Sequence, residues 1–266
     1  MDNVAAENNA FDDASGGAIA ISCGAGVIRR CQFYGNSAEH GGGAIYGTLL
    51  DNTYIEDCYF EGNLADEGGA IYIEGRSDEF GNPTEYRRAR LTGNVFTLNQ
   101  ASGSEGEGGG REAAIFLLLG PDATNDLSCL SFDNSVGQNP DVRGISMVRA
   151  NSGRQLALSC SNEIIFTGTS VANVSILRVP STGPNQPQLT ISFSDTEEGV
   201  NSGVNGNIDL DPLFSTFPFL AANSPCIDQG DDNAWDVSID PAIVDADFFG
   251  STRIQGNAID MGCVED

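Results

Sequence analysis

The side chains in this sequence that could do chemistry are mostly carboxylates. The run Asp228-Gln229-Gly230-Asp231-Asp232-Asn233 sets five oxygen-bearing side chains around a glycine, and Asp236 stands just beyond it. Calcium is a hard cation that takes carboxylate and amide oxygens, so Asp228, Asp231, Asp232 and Asp236 are candidate ligands for it. The spacing is not that of an EF-hand loop, and the same residues also read as a capped turn whose carboxylates accept nearby main-chain amides. Glu105-Gly106-Glu107 is a smaller acidic loop. Calcium is the only cofactor these residues suggest, and no set of residues stands out as catalytic.

Seven cysteines stand at 23, 31, 58, 129, 160, 226 and 263. An odd count argues against a complete disulfide framework. Cys31 and Cys58 are 27 positions apart and suit a ladder of small buried side chains. Cys129 and Cys160, 31 apart, read as a second such pair. Cys226 and Cys263 lie in a differently composed tail and are the candidate disulfide, which would fit an oxidising, extracellular setting.

What must position these residues is a repeat. Cys31-Gln32-Phe33-Tyr34-Gly35-Asn36 is followed by Gly42-Gly43-Ala44-Ile45-Tyr46, and Cys58-Tyr59-Phe60-Glu61-Gly62-Asn63 by Gly68-Gly69-Ala70-Ile71-Tyr72. Phe33 to Phe60 and Asn36 to Asn63 are each 27 positions, and Gly42 to Gly68 is 26. A fixed period of this size marks a solenoid, each copy being one turn. An earlier copy reads Asn9 with Gly16-Gly17-Ala18-Ile19, and a later one Phe96-Thr97-Leu98-Asn99 with Gly109-Gly110 and Ala113-Ala114-Ile115. The later copy carries two insertions, one from Gly75 to about Arg88 and one from Ser102 to Gly108. Extra residues go outward, because a solenoid's inner stack has no space for them.

Within a copy, strand alternation puts Cys31 with Phe33, and Cys58 with Phe60, on one face. Asn36, Asn63 and Asn99 fall at a bend, where asparagine tolerates unusual backbone angles and bonds neighbouring amides. Stacked turns would superpose these three asparagines, and likewise Phe33, Phe60 and Phe96. Short strands, three corners and no helical periodicity predict an all-β fold, a parallel β-helix. Further strands are expected at 127–132, 156–160, 164–166, 174–177 and 189–193, and dividing residues 1–210 by the period gives about eight turns. From Asn207 the composition changes and aromatics concentrate. Residues 1–206 are therefore expected to be repeats, and residues 207–266 a C-terminal segment that caps the last turn.

Charge narrows the partners. Asp plus Glu number 38 against 12 basic residues, all of them Arg, for a formal net charge of −26. A field of that sign repels nucleic acid and anionic lipid and attracts cations. No apolar run approaches the ~20 residues needed to span a bilayer. Met1-Asp2-Asn3-Val4 lacks the basic start and apolar core of a signal peptide, and the repeats begin almost at once. The chain is expected to be a piece of a longer secreted or surface protein, truncated at its N-terminus.

The Phe-x-x-Asn and Gly-Gly-Ala-Ile pairs resemble the repeats of chlamydial polymorphic outer-membrane proteins and related bacterial surface β-helices. The tail, with Asp211-Pro212-Leu213-Phe214, Asn223-Ser224-Pro225-Cys226-Ile227-Asp228 and Ile259-Asp260-Met261-Gly262, is similar to the end of many secreted bacterial right-handed parallel β-helix proteins. Both resemblances imply the pectin-lyase-like fold, a bacterial source, and a secreted or cell-surface location. They also imply an adhesin-like or structural role, with a polysaccharide or another surface as partner.

The alternative the resemblance raises is a carbohydrate-active enzyme, most plausibly a calcium-dependent polysaccharide lyase. Such an enzyme needs calcium-binding carboxylates and a basic residue near the carbon losing its proton. Arg87, Arg88 and Arg90, beside Glu79 and Glu85, are the residues available for it. A hydrolase of the polygalacturonase type is disfavoured, because His40 in Glu39-His40-Gly41 is the only histidine and no matching acid set surrounds it.

Overall fold

Runs of three to seven alternating residues between glycines and asparagines are too short and wrongly spaced for helices but suit strands. The computed structural model describes residues 4–5, 15–75, 88–102, 113–119, 128–133, 136–138, 143–149, 156–161, 164–166, 174–177, 188–196, 203–232, 246–252, 254–262 and 264–265. Among them are strands, turns and bends, and no helix.

The first turn contributes β1 (Val4–Ala5) and β2 (Ile19–Arg29), and the second β3 (Gln32–Tyr34), β4 (Ser37–Ala38) and β5 (Ile45–Glu56). The third runs through β6 (Tyr59–Glu61), β7 (Leu64–Ala65), β8 (Ile71–Gly75) and β9 (Arg88–Thr92). The fourth comprises β10 (Val95–Thr97), β11 (Gln100–Ala101), β12 (Ala113–Leu119) and β13 (Ser128–Asp133). Next come β14 (Val136–Gln138), β15 (Arg143–Arg149) and β16 (Leu156–Ser161), then β17 (Ile164–Phe166), β18 (Val174–Leu177) and β19 (Gln188–Ser192). β20 (Asp195–Thr196) opens a seventh turn, and the tail adds an antiparallel pair, β21 (Phe214–Thr216) and β22 (Phe219–Leu220).

Strands of successive turns pair in parallel into three sheets. One has the order β1-β4-β7-β11, the second β20-β17-β14-β10-β6-β3, and the third holds ten strands from β2 and β5 out to β18 and β19. This is a parallel β-helix. The strands of the described residues make six turns and begin a seventh, where the period suggested about eight. The difference comes from longer turns, since Tyr59 pairs with Val95 and Val95 with Val136, steps of 36 and 41 residues.

Left-handed backbone conformations recur in columns and turn the chain at each corner. After the ten-stranded sheet the column holds Arg30 (φ 52), Asp57 (φ 50), Gly93 (φ 65) and Phe193 (φ 48). After the six-stranded sheet it holds Gly35, Gly62 and Leu98, and before β2, β5 and β8 it holds Gly16, Gly42 and Gly68. The second glycine of each Gly-Gly pair answers a different need. A Cβ on Gly43 would lie 2.1 Å from the Gly69 carbonyl oxygen, so the next turn could not approach.

The core is a set of stacked like residues. Phe33, Phe60 and Phe96 stack with ring centroids 4.8 Å apart at both steps, and Phe60 is fully buried. Ile45 and Ile71 pair in register, as do Ile55 and Leu91, and all four are buried.

Two register expectations fail. β1 pairs Val4 with Ser37, a step of 33 residues, so the 27-residue spacing of Asn9 and Asn36 does not set the first turn's pairing there; Asn9 itself lies outside the described residues. Cys129 stands opposite Ala157, and Cys160 opposite Phe132, because β13 and β16 align at a step of 28 rather than 31.

Candidate functional site

The bend after β3, β6 and β10 carries the asparagine ladder. Asn36 donates its main-chain N–H (3.1 Å) and its Nδ2 (2.8 Å) to Asn63 Oδ1. Asn63 repeats both bonds to Asn99 Oδ1, at 3.1 and 2.8 Å. Nδ2 of Asn63 also reaches back to the Phe33 carbonyl, and that of Asn99 to the Phe60 carbonyl, each at 3.0 Å. All three asparagines are buried, and these bonds supply buried amide groups with partners in the turns on either side.

The cysteine ladder is only partly a cysteine ladder. Cys31 and Cys58 are neighbours by the pairing of Gln32 with Tyr59, but the same column continues with Asn94, one residue before Val95. Asn94 Oδ1 accepts the Cys58 amide at 3.0 Å, and its Nδ2 donates to the Ile55 carbonyl at 2.8 Å. Sequence reasoning missed Asn94, although it stands two residues before Phe96 as Cys58 stands two before Phe60. The Cys58 thiol donates to the Glu56 carbonyl at 3.2 Å. Burial pushes its pKa up to about 12. A thiol so protonated at neutral pH is a poor nucleophile.

The tail does more than close the last turn. In β3, β6 and β10 the phenylalanines point inward, so Tyr59 and Val95 belong to the outer row of the six-stranded sheet, together with Asp195. Leu220, Cys226, Met261 and Val264 of the tail form one buried cluster with Val95. Tyr59, Ile208, Phe214, Phe217, Ile227 and Phe248 pack against it. Tyr59 and Phe248 have ring centroids 6.5 Å apart. The tail therefore lies along the flank of the helix, from the last turn back to the third.

The proposed calcium ligands are engaged in that tail. Asp228 Oδ1 accepts the amides of Asn257 (2.6 Å) and Ala258 (3.1 Å), and Oδ2 accepts Asn257 Nδ2 at 3.3 Å. The Ala258 amide and then those of Asn257 hold its carboxyl below the usual carboxylate range. Asp232 Oδ1 accepts the Ile259 amide at 2.9 Å. Gly256 makes room, since a Cβ there would sit 2.0 Å from Asp228 Oδ1. These bonds are those of a capped turn, the carboxylates accepting main-chain N–H groups. Among the described residues no group of three or more His, Cys, Asp or Glu side chains is placed to hold a metal ion. Asp236 lies outside the described residues.

Cys226 is a free thiol rather than half of a bridge. Its Sγ donates to Asp195 Oδ2 at 3.3 Å, and burial followed by the Asp195 charge pushes its pKa upward. Cys263 lies outside the described residues, as do Glu79, Glu85, Arg87, Glu105 and Glu107. Arg88 and Arg90 occupy β9, where Arg90 stands opposite Tyr54 and Ser131. His40 is exposed, and its carbonyl accepts the Glu67 amide at 3.0 Å.

Residues 2–117 match the family model described as right handed beta helix region. The matched stretch, less than half of the chain, carries the Asn, Phe and Gly-Gly columns, and the fold is that of a right-handed parallel β-helix. No curated protein and no solved structure matches the chain.

Proposed function

We propose that this chain is a non-catalytic β-helix module of a secreted or surface protein, holding its flanks out to a glycan or another surface. The observation that carries the reading is where the turns lengthen. In the second turn β5 runs unbroken, but the later turns split at the same place into β8 and β9, β12 and β13, β15 and β16, and β18 and β19. In each of these later turns the chain thus leaves and re-enters the ten-stranded sheet at the same place. Successive insertions at one edge of a rigid scaffold are the usual way such folds present a binding surface. The buried asparagines meanwhile join turn to turn, which supports a scaffold role for the interior.

The test is binding of the purified chain to an array of neutral and acidic glycans. A variant with segments 76–87 and 178–187 shortened would be compared alongside. Binding lost in the shortened variant, with melting unchanged, supports the reading. Release of unsaturated product from pectate or alginate in the presence of calcium would overturn it in favour of a lyase.

A further inference from the structure

Carboxylates fasten the tail. Asp247, 4% exposed, accepts the amides of Phe249 (3.0 Å) and Ser251 (2.7 Å) on Oδ1 and that of Glu265 (3.3 Å) on Oδ2. Asp260, 2% exposed, accepts the Asp228 amide at 2.7 Å, and its own amide donates to both oxygens of Glu265 at 3.3 Å. Asp195 accepts the Leu210 amide on Oδ1 at 3.2 Å and the Cys226 thiol on Oδ2. With Asp228 and Asp232, six carboxyl groups hold residues 207–265 to themselves and to the last turn.

Protonating any of Asp195, Asp228, Asp247 or Glu265 sets a new O–H hydrogen against an N–H or S–H that the same oxygen had been accepting. An acceptor becomes a donor facing a donor, so the bond is replaced by repulsion. Among the described residues, the charged groups facing these acids are acidic: Asp260 faces Glu265, Asp247 faces Glu265, and both Asp195 and Asp260 act on Cys226. Tyr59 on the flank has Glu61 and Tyr34 beside it. The two ion pairs among the described residues, Arg29 with Glu56 and Arg30 with Asp57, lie in the turns and not in the tail.

The interior of the described turns is joined differently. Main-chain ladders, asparagine amides and stacked rings connect them and take up no proton in mild acid; the carboxylates that join turns, Glu56 with Arg29, Asp57 with Arg30 and Asp66 with Ser102, are additions to these ladders. We infer that the C-terminal tail is an acid-releasable strap: carboxyl protonation frees it from the flank and uncovers Val95, Tyr59 and Cys226 while the β-helix stays folded.

The experiment follows two signals on the intact chain as pH falls from about 7 to about 3. One is far-ultraviolet circular dichroism, reporting the strands. The other is modification by 4,4′-dithiodipyridine, which reacts with thiols in acid, with Cys226 identified by peptide mapping. The expected result is that Cys226 becomes reactive at a pH where the dichroism is unchanged. Loss of both signals at one pH, or protection of Cys226 throughout, would overturn the inference. Asp247→Asn supplies a second arm, because it turns an Nδ2 donor toward amides at neutral pH. If it folds, Cys226 should react about tenfold faster at neutral pH than in the parent chain, since opening and not chemistry limits a buried thiol. An unchanged rate would count against the strap. If it does not fold, the pH course of the parent chain still decides.

Discussion

Asn94 and Asn207 do the same thing at different turns of the solenoid. Asn94 Oδ1 accepts the Cys58 amide at 3.0 Å, and Asn207 Oδ1 accepts the Ser194 amide at 3.1 Å. The strand pairings place both in one column, with the bridge between Asp195 and Ile208 carrying the register to the end. Both side chains are buried, at 0% and 2% exposure. Asn207 is thus where the tail begins and also where the column ends.

Removing such an acceptor strands a buried donor. Asn94→Ala leaves the Cys58 amide unpaired, and Asn63→Ala opens the ladder on both sides. Each should lower stability by about 1–3 kcal/mol. Urea unfolding midpoints measure this, and a variant within error of the parent would contradict the column.

Two glycines with different surroundings should respond differently to the same change. Gly62 has φ 64 with nothing within 4 Å of an added Cβ, so Gly62→Ala meets only left-handed strain, about 1–2 kcal/mol. Gly43→Ala would set its Cβ 2.1 Å from the Gly69 carbonyl, against main chain that cannot yield without parting two turns. Its cost should exceed about 4 kcal/mol. Thermal melts of the pair give the comparison, and equal shifts would show that the turns are not in rigid contact.

The segment between β8 and β9 should be removable. Thr48 pairs with Glu74 and Thr53 with Ala89, so the second turn spans with Leu49 to Asn52 what the third spans with residues 75–88. Deleting residues 77–86 leaves Gly75, Arg76, Arg87 and Arg88, the same number as in the turn before. Cooperative melting within a few degrees of the parent is expected, since a shorter surface loop alters closure entropy by only about 1 kcal/mol. Loss of cooperativity would give the segment a structural role.

Asp228 makes its contribution only while ionised. Its folded-state pKa is lowered by the amides of Ala258 and Asn257, so the stabilisation is present above the unfolded value near ~3.9 and is lost as pH falls through the lower folded value. Asp228→Asn should therefore be less stable than the parent near neutral pH, and the gap should close in acid. Chemical denaturation at several pH values checks this; a gap that widens on acidification would reverse the sign.

The sequence disclosed columns wherever residue type persisted from turn to turn. Asn36, Asn63 and Asn99, and Phe33, Phe60 and Phe96, were visible because an amide or a ring must meet its own kind to stack. Asn94 stayed hidden because there a column changes from thiol to amide while its geometry continues. Leu98 was hidden in the same way, taking with φ 56 a corner that Gly35 and Gly62 take elsewhere. The capping bonds of Asp228 and Asp232 were not legible, because their partners Asn257, Ala258 and Ile259 are distant in sequence. Where the tail would lie was not legible at all, because Tyr59 and Val95 look like ordinary strand residues until Phe248 and Met261 cover them.

The asparagine ladder has a direction. Asn63 Oδ1 and Asn99 Oδ1 each receive two donors from the turn before, and Asn36 and Asn63 each offer N–H and Nδ2 to the turn after. A stack interrupted at Asn63 would end in open donors whose acceptor lies further along the chain. Along this ladder each coil thus presents a matched pair of donors to the coil that follows, so the two ends of the ladder are chemically unlike: one end presents an acceptor, the other donors.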